Sequence, residues 1–153
     1  MIIPRSYFHH REPFSLAREL VGKYLFTKIG GQISGGIITE TEICTEAMMS
    51  ESIVLPHLNS DTSQDGYVYV FAYDKGKYRF GLMTKYSETQ TLILVCSILS
   101  THGEELMLKR TGKFRMSSSV TQGVENVTKA LGITVEHHGH IIPSEMIWIE
   151  DRG

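Results

Sequence analysis

Residues 23–43 of this chain read KYLFTKIGGQISGGIITETEI. Two runs rich in β-branched and aromatic residues flank the pair Gly30-Gly31. Adjacent glycines supply the positive φ angles that a two-residue hairpin turn requires. We therefore predict an antiparallel β-hairpin whose second strand carries Glu42 near its far end.

The second strand of this hairpin carries two acids on what should be one face. Successive strand side chains point to opposite faces, which predicts a common face for Ile38, Glu40, Glu42 and Cys44. The two carboxylates should then lie about 7 Å apart. Glutamate is mostly exposed in folded proteins, so a solvated face explains the pair as well as a pocket does. The strand alone leaves both interpretations open.

A second hairpin is predicted over GYVYVFAYDKGKYRFGLMT, residues 66–84. Its first strand alternates without a break and predicts two apolar faces, one formed by Tyr67, Tyr69, Phe71 and Tyr73, the other by Val68, Val70 and Ala72. An apolar residue at every position is typical of a central strand. The DKGK sequence predicts the turn before an antiparallel return strand.

The remaining segments complete an α+β pattern. TQTLILVCSIL and EMIWIEDRG read as strands, while GEELMLKR and GVENVTKALGI read as helices, the latter ending at Gly132. FSLARELVGK predicts a helix capped by Ser15 and ended by Gly22. Paired strands without a βαβ rhythm favour an α+β fold around an antiparallel sheet. The residues expected in the core are Ile37, Val68, Val70, Leu92, Leu94 and Leu131.

Composition and charge narrow the classes of function. With 153 residues, 41% of them apolar, the chain can form a single domain over 1–153. No signal peptide or membrane-length apolar run is apparent, so we expect a soluble cytoplasmic or nuclear protein without a membrane partner. A net charge of −2 gives no general attraction to nucleic acid. Two local basic patches read either as DNA contacts or as solvated loops: Lys75, Lys77 and Arg79, and Lys109, Arg110, Lys113 and Arg115.

Metal chemistry has little support in the sequence. Cys44 and Cys96 lack any ligand spacing, so we predict free thiols and no zinc site. The EHHGH segment could let His138 and His140 chelate a metal, but a polar turn is the better interpretation.

Four motifs in order resemble the alkyladenine (3-methyladenine) DNA glycosylase family. They are GIITETE at 36–42, YVYVFAY at 67–73, VTKALGI at 127–133 and WIEDRG at 148–153. The resemblance implies a curved, mixed, mostly antiparallel sheet, flanking short helices and a protruding hairpin that enters the minor groove of double-stranded DNA. It also implies a metal-free enzyme without a cofactor, and we expect a monomer.

The resemblance further implies that the protein hydrolyses the bond between a damaged purine and its sugar. The nucleotide is flipped out of the duplex, and a carboxylate deprotonates a water for attack on the sugar. Glu42 takes the position of this base, and we expect it at the floor of a cleft in contact with Tyr69. Tyr69 takes the stacking position, Tyr73 the wedge, Cys44 an aromatic position and Phe80 or Gly81 an asparagine position. Lys75, Lys77 and Arg79 are the expected DNA contacts, and Cys96 stands where the family has an arginine.

Two alternatives to this enzyme remain open at the level of sequence. One is a catalytically weak or inactive relative that keeps the fold and acts as a DNA-binding module. The other is a sugar hydrolase that uses Glu40 and Glu42 as its acid and base. Their separation of about 7 Å falls in the inverting range of about 6.5–9.5 Å, but acids on one strand lie on one side of a substrate.

Overall fold

A computed structural model describes residues 1–45, 53–54, 65–74, 77–86 and 89–153; at residues 53, 54, 73, 74 and 89 it describes the backbone alone. The seven strands are β1 (Tyr24–Ile29), β2 (Gln32–Thr45), β3 (Ile53–Val54), β4 (Val68–Asp74), β5 (Lys77–Tyr86), β6 (Thr89–His102) and β7 (Ile147–Glu150). The α-helices are α1 (Pro13–Leu20), α2 (Glu104–Thr111), α3 (Ser118–Thr121) and α4 (Val124–Ala130). Two short 3-10 helices, η1 (Arg5–Phe8) and η2 (Val135–His137), complete the described elements.

The strands form one curled sheet in the order β3-β4-β5-β6-β2-β1-β7. Each described pairing is antiparallel, including the two predicted hairpins β1–β2 and β4–β5. The predicted α+β fold is confirmed, although the resemblance implied a mixed sheet and the described strands include no parallel pair. None of the helices in these described ranges is long and apolar enough to span a membrane.

Two local predictions about turns and caps have different outcomes. Gly30 and Gly31 have φ angles of 62° and 77°, and they join β1 to β2 as predicted. The N-cap of α1 is Glu12 and not Ser15, because the Glu12 carboxylate accepts hydrogen bonds from the backbone N–H groups of Phe14 and Ser15. The Ser15 cap was therefore wrong, since a residue whose own N–H is capped lies inside the helix.

The two faces of the sheet carry separate cores. The face covered by the helices forms the first core, which includes Val68, Val70 and Leu131. The opposite face carries a second core made of Cys44, Tyr69, Phe71, Met83, Leu92, Leu94, Cys96 and Val124, with Tyr67 packed against it. The predicted alternation of β4 is thus confirmed for its described side chains.

A bulge in β2 changes the predicted faces of that strand. Ile38 pairs with Ile98 and Glu40 with Ser97, so Thr39 is the extra residue. Ile38 is fully buried in the first core, whereas Cys44 belongs to the second. Placing Ile38 on the face of Cys44 was wrong, because the bulge reverses the alternation. The predicted burial of Ile37 was also wrong, since its side chain is half-buried, whereas the other five predicted core residues are buried.

The C-terminal segment pairs with the outer edge of β4. The backbone N–H of Val68 donates to the carbonyl of His140, and the N–H of Gly139 donates to the carbonyl of Val68. The N–H of Val70 donates to Nδ1 of His138 at 2.9 Å. Because these bonds cover its edge, β4 behaves as an interior strand although it lies next to β3 at one end of the sheet.

Candidate active site

Strand β2 presents Glu42 on the face of the sheet that carries the second core. Glu42 pairs with Leu94 of β6, and its side chain is exposed. Its carboxylate Oε2 lies 3.7 Å from Sγ of Cys96, which donates a weak hydrogen bond. No lysine or arginine in the described parts of the chain forms an ion pair with Glu42. The carboxylate is therefore open to solvent, and the thiol of Cys96 is its one described side-chain hydrogen-bond donor.

Two buried thiols lie beside this carboxylate, and neither is in a disulfide. Burial, followed by the negative charges of Glu42 and Glu40, raises the pKa of the Cys96 thiol to about 12. Burial and the charge of Glu42 also raise the pKa of Cys44. Both thiols are neutral near neutral pH, so they act as small apolar groups beside Glu42 and not as nucleophiles. The prediction of free thiols is confirmed.

Tyr69 lies on the same face as Glu42 but several strands away. The sheet partners run from Tyr69 to Gly81, from Gly81 to Leu94 and from Leu94 to Glu42. Three strand spacings of about 4.8 Å place the two Cα atoms about 14 Å apart. The expectation of Glu42 at a cleft floor in contact with Tyr69 was wrong, because its carboxylate is exposed and two strands intervene.

The ring of Tyr69 is buried, with 5% of its surface exposed. It packs edge-on against His138, with ring centroids 4.7 Å apart, and lies 6.3 Å from the ring of Phe71. The contact with His138 could not be predicted from the sequence, because the EHHGH segment is far from β4 in the chain. The ring of Tyr69 is therefore packed within the second core.

Phe80 does not belong to this face. Its side chain is fully buried in the first core, beneath the helices, while the neighbouring Gly81 lies on the face of Tyr69. The assignment of Phe80 as a substrate contact was therefore wrong, because alternation directs it away from Glu42. A Cβ atom on Gly81 would lie 2.9 Å from Leu94 Cδ2 and 3.0 Å from Leu92 Cβ. The absence of a side chain at Gly81 therefore leaves room for Leu92 and Leu94 of the neighbouring strand β6.

Strands β5 and β6 separate at one end of this site, and the segment 122–128 fills the gap. The backbone N–H of Gly123 donates to the carbonyl of Cys96 at 2.6 Å, and Gln122 forms a bridge with Ser97. On the other side, the N–H of Phe80 donates to Oγ1 of Thr128. Sequence analysis missed this insertion. Its signal is Gly123, whose φ of 97° lets the chain turn into α4 beside Cys96.

The predicted basic contacts differ in their surroundings. Lys77 is exposed near the tip of the β4–β5 hairpin, whereas Arg79 pairs with Phe71 in the sheet and so faces the site. The guanidinium of Arg79 donates to Glu125 at 3.4 Å, and its charge offsets a small part of the rise that burial and the acids cause in the pKa of both thiols. Lys75 and the side chain of Tyr73 lie outside the described part of the chain.

The other basic patch contains a structural residue. Nη1 of Arg110 donates to Oγ of Ser34 and to the carbonyl of Ala130, both at 2.9 Å. Burial lowers the pKa of Arg110. Arg110 therefore ties α2 to the sheet and to the end of α4, while Lys109, Lys113 and Arg115 are exposed.

The histidines near the C-terminus serve the fold. Nδ1 of His137 accepts a hydrogen bond from the N–H of Thr134, and Nδ1 of His138 accepts one from Val70. Within the residues that the structure describes, no group of three or more histidine, cysteine or acidic side chains is arranged to hold a metal ion.

The chain is similar to known proteins over nearly all of its length. The family model described as methylpurine-DNA glycosylase (MPG) matches residues 7–153. A protein of Chlamydia abortus is 28% identical, with 99% of this chain and 83% of the relative aligned. Relatives from Chlamydia felis and Listeria welshimeri are 27% and 25% identical, with 81% and 74% of their lengths aligned to 99% and 98% of this chain. Each of the three carries the name "Putative 3-methyladenine DNA glycosylase".

Because the family match covers all but the first six residues, the chain belongs to the methylpurine-DNA glycosylase family, a family of DNA repair proteins.

Proposed function

We propose that the protein is a monofunctional DNA glycosylase that hydrolyses the N-glycosidic bond of alkylated or deaminated purines in double-stranded DNA. Family membership supports the reaction class. The observation that carries the proposal is the setting of Glu42, whose side chain is exposed on the face of the second core with no cationic partner among the described residues. A carboxylate in that setting is accessible to the water that it would activate.

In the proposed reaction, Glu42 deprotonates a water whose oxygen then bonds to the sugar C1′ atom. The bond between C1′ and the purine nitrogen breaks, and its electron pair leaves with the base. The carboxylate also stabilises the positive charge that develops on the sugar. An alkylated purine that already carries a positive charge leaves readily, so one acid is sufficient. Because the Cys96 thiol is neutral, it donates a weak hydrogen bond to one oxygen of Glu42 without neutralising the carboxylate.

The substrate base would occupy the surface between Glu42 and Tyr69. Leu94 and Gly81 lie between them and Cys44 lies beside Glu42, and because all three are buried, a base would contact them only after the groups that cover them rearrange. A flipped base requires apolar and aromatic surface to replace the stacking that it loses in the duplex. Tyr73 remains the proposed wedge, since it follows Phe71 and Tyr69 on the same strand.

One observation favours the alternative of a binding module without strong catalysis. Tyr69 exposes only 5% of its surface, so its ring cannot stack on a base unless its surroundings rearrange. At the position of an aromatic residue in the family, Cys44 supplies a smaller and less polarisable contact. Both features weaken the contacts that the protein can make with a flipped base, although neither affects Glu42.

The test is direct incubation of the protein with duplexes that contain hypoxanthine, 1,N6-ethenoadenine or 3-methyladenine. Alkali then cleaves the abasic sites, and a denaturing gel measures them. We expect product from at least one lesion and none from an undamaged duplex. Binding to the same duplexes without product, even with enzyme in excess, would refute the catalytic proposal and support the binding module.

We also predict that DNA binding depends only weakly on salt. Each neutralised phosphate contributes about −0.9 to the slope of log affinity against log salt, and we expect about two or three contacts. Replacing Lys75, Lys77 and Arg79 with alanine should abolish measurable binding at physiological salt.

The matched control for that variant replaces Lys109, Lys113 and Arg115, leaving Arg110 in place because it supports the fold. Anisotropy titrations of a labelled duplex at several salt concentrations measure both variants. A steep slope that survives loss of Lys75, Lys77 and Arg79 would put the DNA on another surface.

A further inference from the structure

An ion pair closes the separated end of β5 and β6. Nη2 of Arg79 lies 3.4 Å from Oε1 of Glu125, and each side chain is 31% exposed. Glu125 comes from the first turn of α4, which enters the gap between the two strands. Arg79 faces the same side of the sheet as Phe71, where its charge and that of Glu42 act on the same two thiols. The pair therefore lies at the margin of the candidate active site.

A groove runs beside this pair. It has a volume of about 380 Å³, and its described lining includes two exposed lysines, Lys77 and Lys129, together with Glu125. Cationic side chains are the groups that contact phosphate oxygens. Glu125 is the one acidic residue in that described lining, and its carboxylate is also paired with Arg79.

We infer that Glu125 occupies the place of a DNA phosphate on Arg79, and that the backbone of bound DNA displaces it. This inference rests on the proposed function, because it requires DNA to bind at the hairpin. A backbone phosphodiester offers two non-bridging oxygens to a guanidinium, and a bidentate pair with arginine is stronger than a single contact at 3.4 Å. A partly exposed ion pair between a carboxylate and a guanidinium contributes little free energy, so a phosphate can displace Glu125 at small cost. The intramolecular pair keeps Arg79 oriented toward the site and lowers its affinity for other anions.

The test measures the binding of a labelled duplex that carries a stable abasic-site analogue, so that catalysis does not interfere. Glu125→Gln keeps the shape of the side chain and removes its charge. We expect this variant to bind about three- to fivefold more tightly at low salt, because the DNA phosphate no longer competes with the Glu125 carboxylate for Arg79. In an Arg79→Ala background, Glu125→Gln should not increase the affinity for the duplex. In an Arg79→Lys background the increase in affinity should persist, since lysine keeps the positive charge at this position.

Glu145→Gln is the matched control, because Glu145 is an exposed acid that lines a different groove, near Trp148. It changes the net charge by the same amount and should leave the affinity unchanged. Thermal unfolding of each variant verifies that the fold is kept. The inference is overturned if Glu125→Gln binds like the parent protein, if its gain survives in Arg79→Ala, or if Glu145→Gln matches it.

The failures of the two proposals are distinguishable. If the parent protein binds and cleaves damaged duplexes while Glu125→Gln changes nothing, only the exchange at Arg79 is refuted. If neither protein binds any duplex at low salt, both the proposed function and this inference are wrong.

Discussion

Replacing Glu42 with glutamine should slow release of the damaged base by at least about 100-fold, because general-base catalysis contributes about 10²–10⁴ to such rates. Glutamine keeps the size of the side chain and its contact with the Cys96 thiol, but it cannot accept a proton from water or stabilise a cationic sugar. Single-turnover assays with enzyme in excess measure the chemical step without product release. Binding to the same duplex should be kept, since Glu42 has no described cationic partner that its loss would release.

Glu40→Gln is the matched control for this experiment. Glu40 is exposed on the same strand and also acts electrostatically on Cys96, but it has no described hydrogen bond to that thiol. It should retain most of the activity. If Glu42→Gln cleaves at the parental rate, or if Glu40→Gln is the variant that loses activity, the assignment of the base is refuted.

The effect of Glu42→Gln should also depend on the lesion. A cationic base such as 3-methyladenine leaves without further activation, so part of its release survives when the carboxylate is lost. A neutral base such as hypoxanthine depends more on stabilisation of the charge that forms on the sugar. A larger loss for hypoxanthine than for 3-methyladenine therefore indicates that Glu42 stabilises charge in addition to activating water.

Local signals in the sequence were sufficient to predict most of the strands. Gly30 and Gly31 determine the first hairpin because few other residues accept two consecutive positive φ angles. The alternation of Val68 and Val70 with Tyr69 and Phe71 predicted which side chains share a face, because β4 has no bulge in that stretch. In both cases the local structure is determined by residues that are close together in the sequence.

The faces of β2 could not be predicted in the same way. A single extra residue at Thr39 reverses the alternation, and nothing in the composition of GIITETE distinguishes a bulge from a regular strand. Since the part of β2 that contains Glu42 and Cys44 follows the bulge, their common face was still predicted correctly, but Ile38 was assigned to the wrong one. Register errors of one residue are enough to exchange core and solvent.

Long-range contacts account for the rest of the site. Segment 122–128 enters the sheet beside Cys96, and His138 packs on Tyr69 across some seventy residues of chain. These contacts are determined by where β5 and β6 separate and by how the C-terminal segment pairs with β4. Neither leaves a periodic pattern in the sequence, so the surroundings of Glu42 and Tyr69 required the structure.

Phe80→Ala should destabilise the protein by about 3–5 kcal/mol, the usual cost of truncating a fully buried phenylalanine. Phe80 is fully buried among the side chains of the first core, and its backbone N–H is bonded to Thr128 of α4. The alanine leaves a cavity between the sheet and the helix that holds Glu125. Urea unfolding followed by Trp148 fluorescence measures the change in the free energy of unfolding.

Tyr86→Ala is the matched control, because Tyr86 lies on the same strand with the same alternation but is 42% exposed. Its loss should change stability by no more than about 0.5 kcal/mol. The two variants separate the structural role of Phe80 from the substrate contact that the resemblance implied. A Phe80→Ala protein that is as stable as its parent, yet binds damaged duplexes weakly, would return Phe80 to the substrate site. The expected result is the reverse: when kept cold enough to stay folded, the variant should still bind DNA, because Gly81, and not Phe80, lies on the face of Tyr69 where we propose that the base binds.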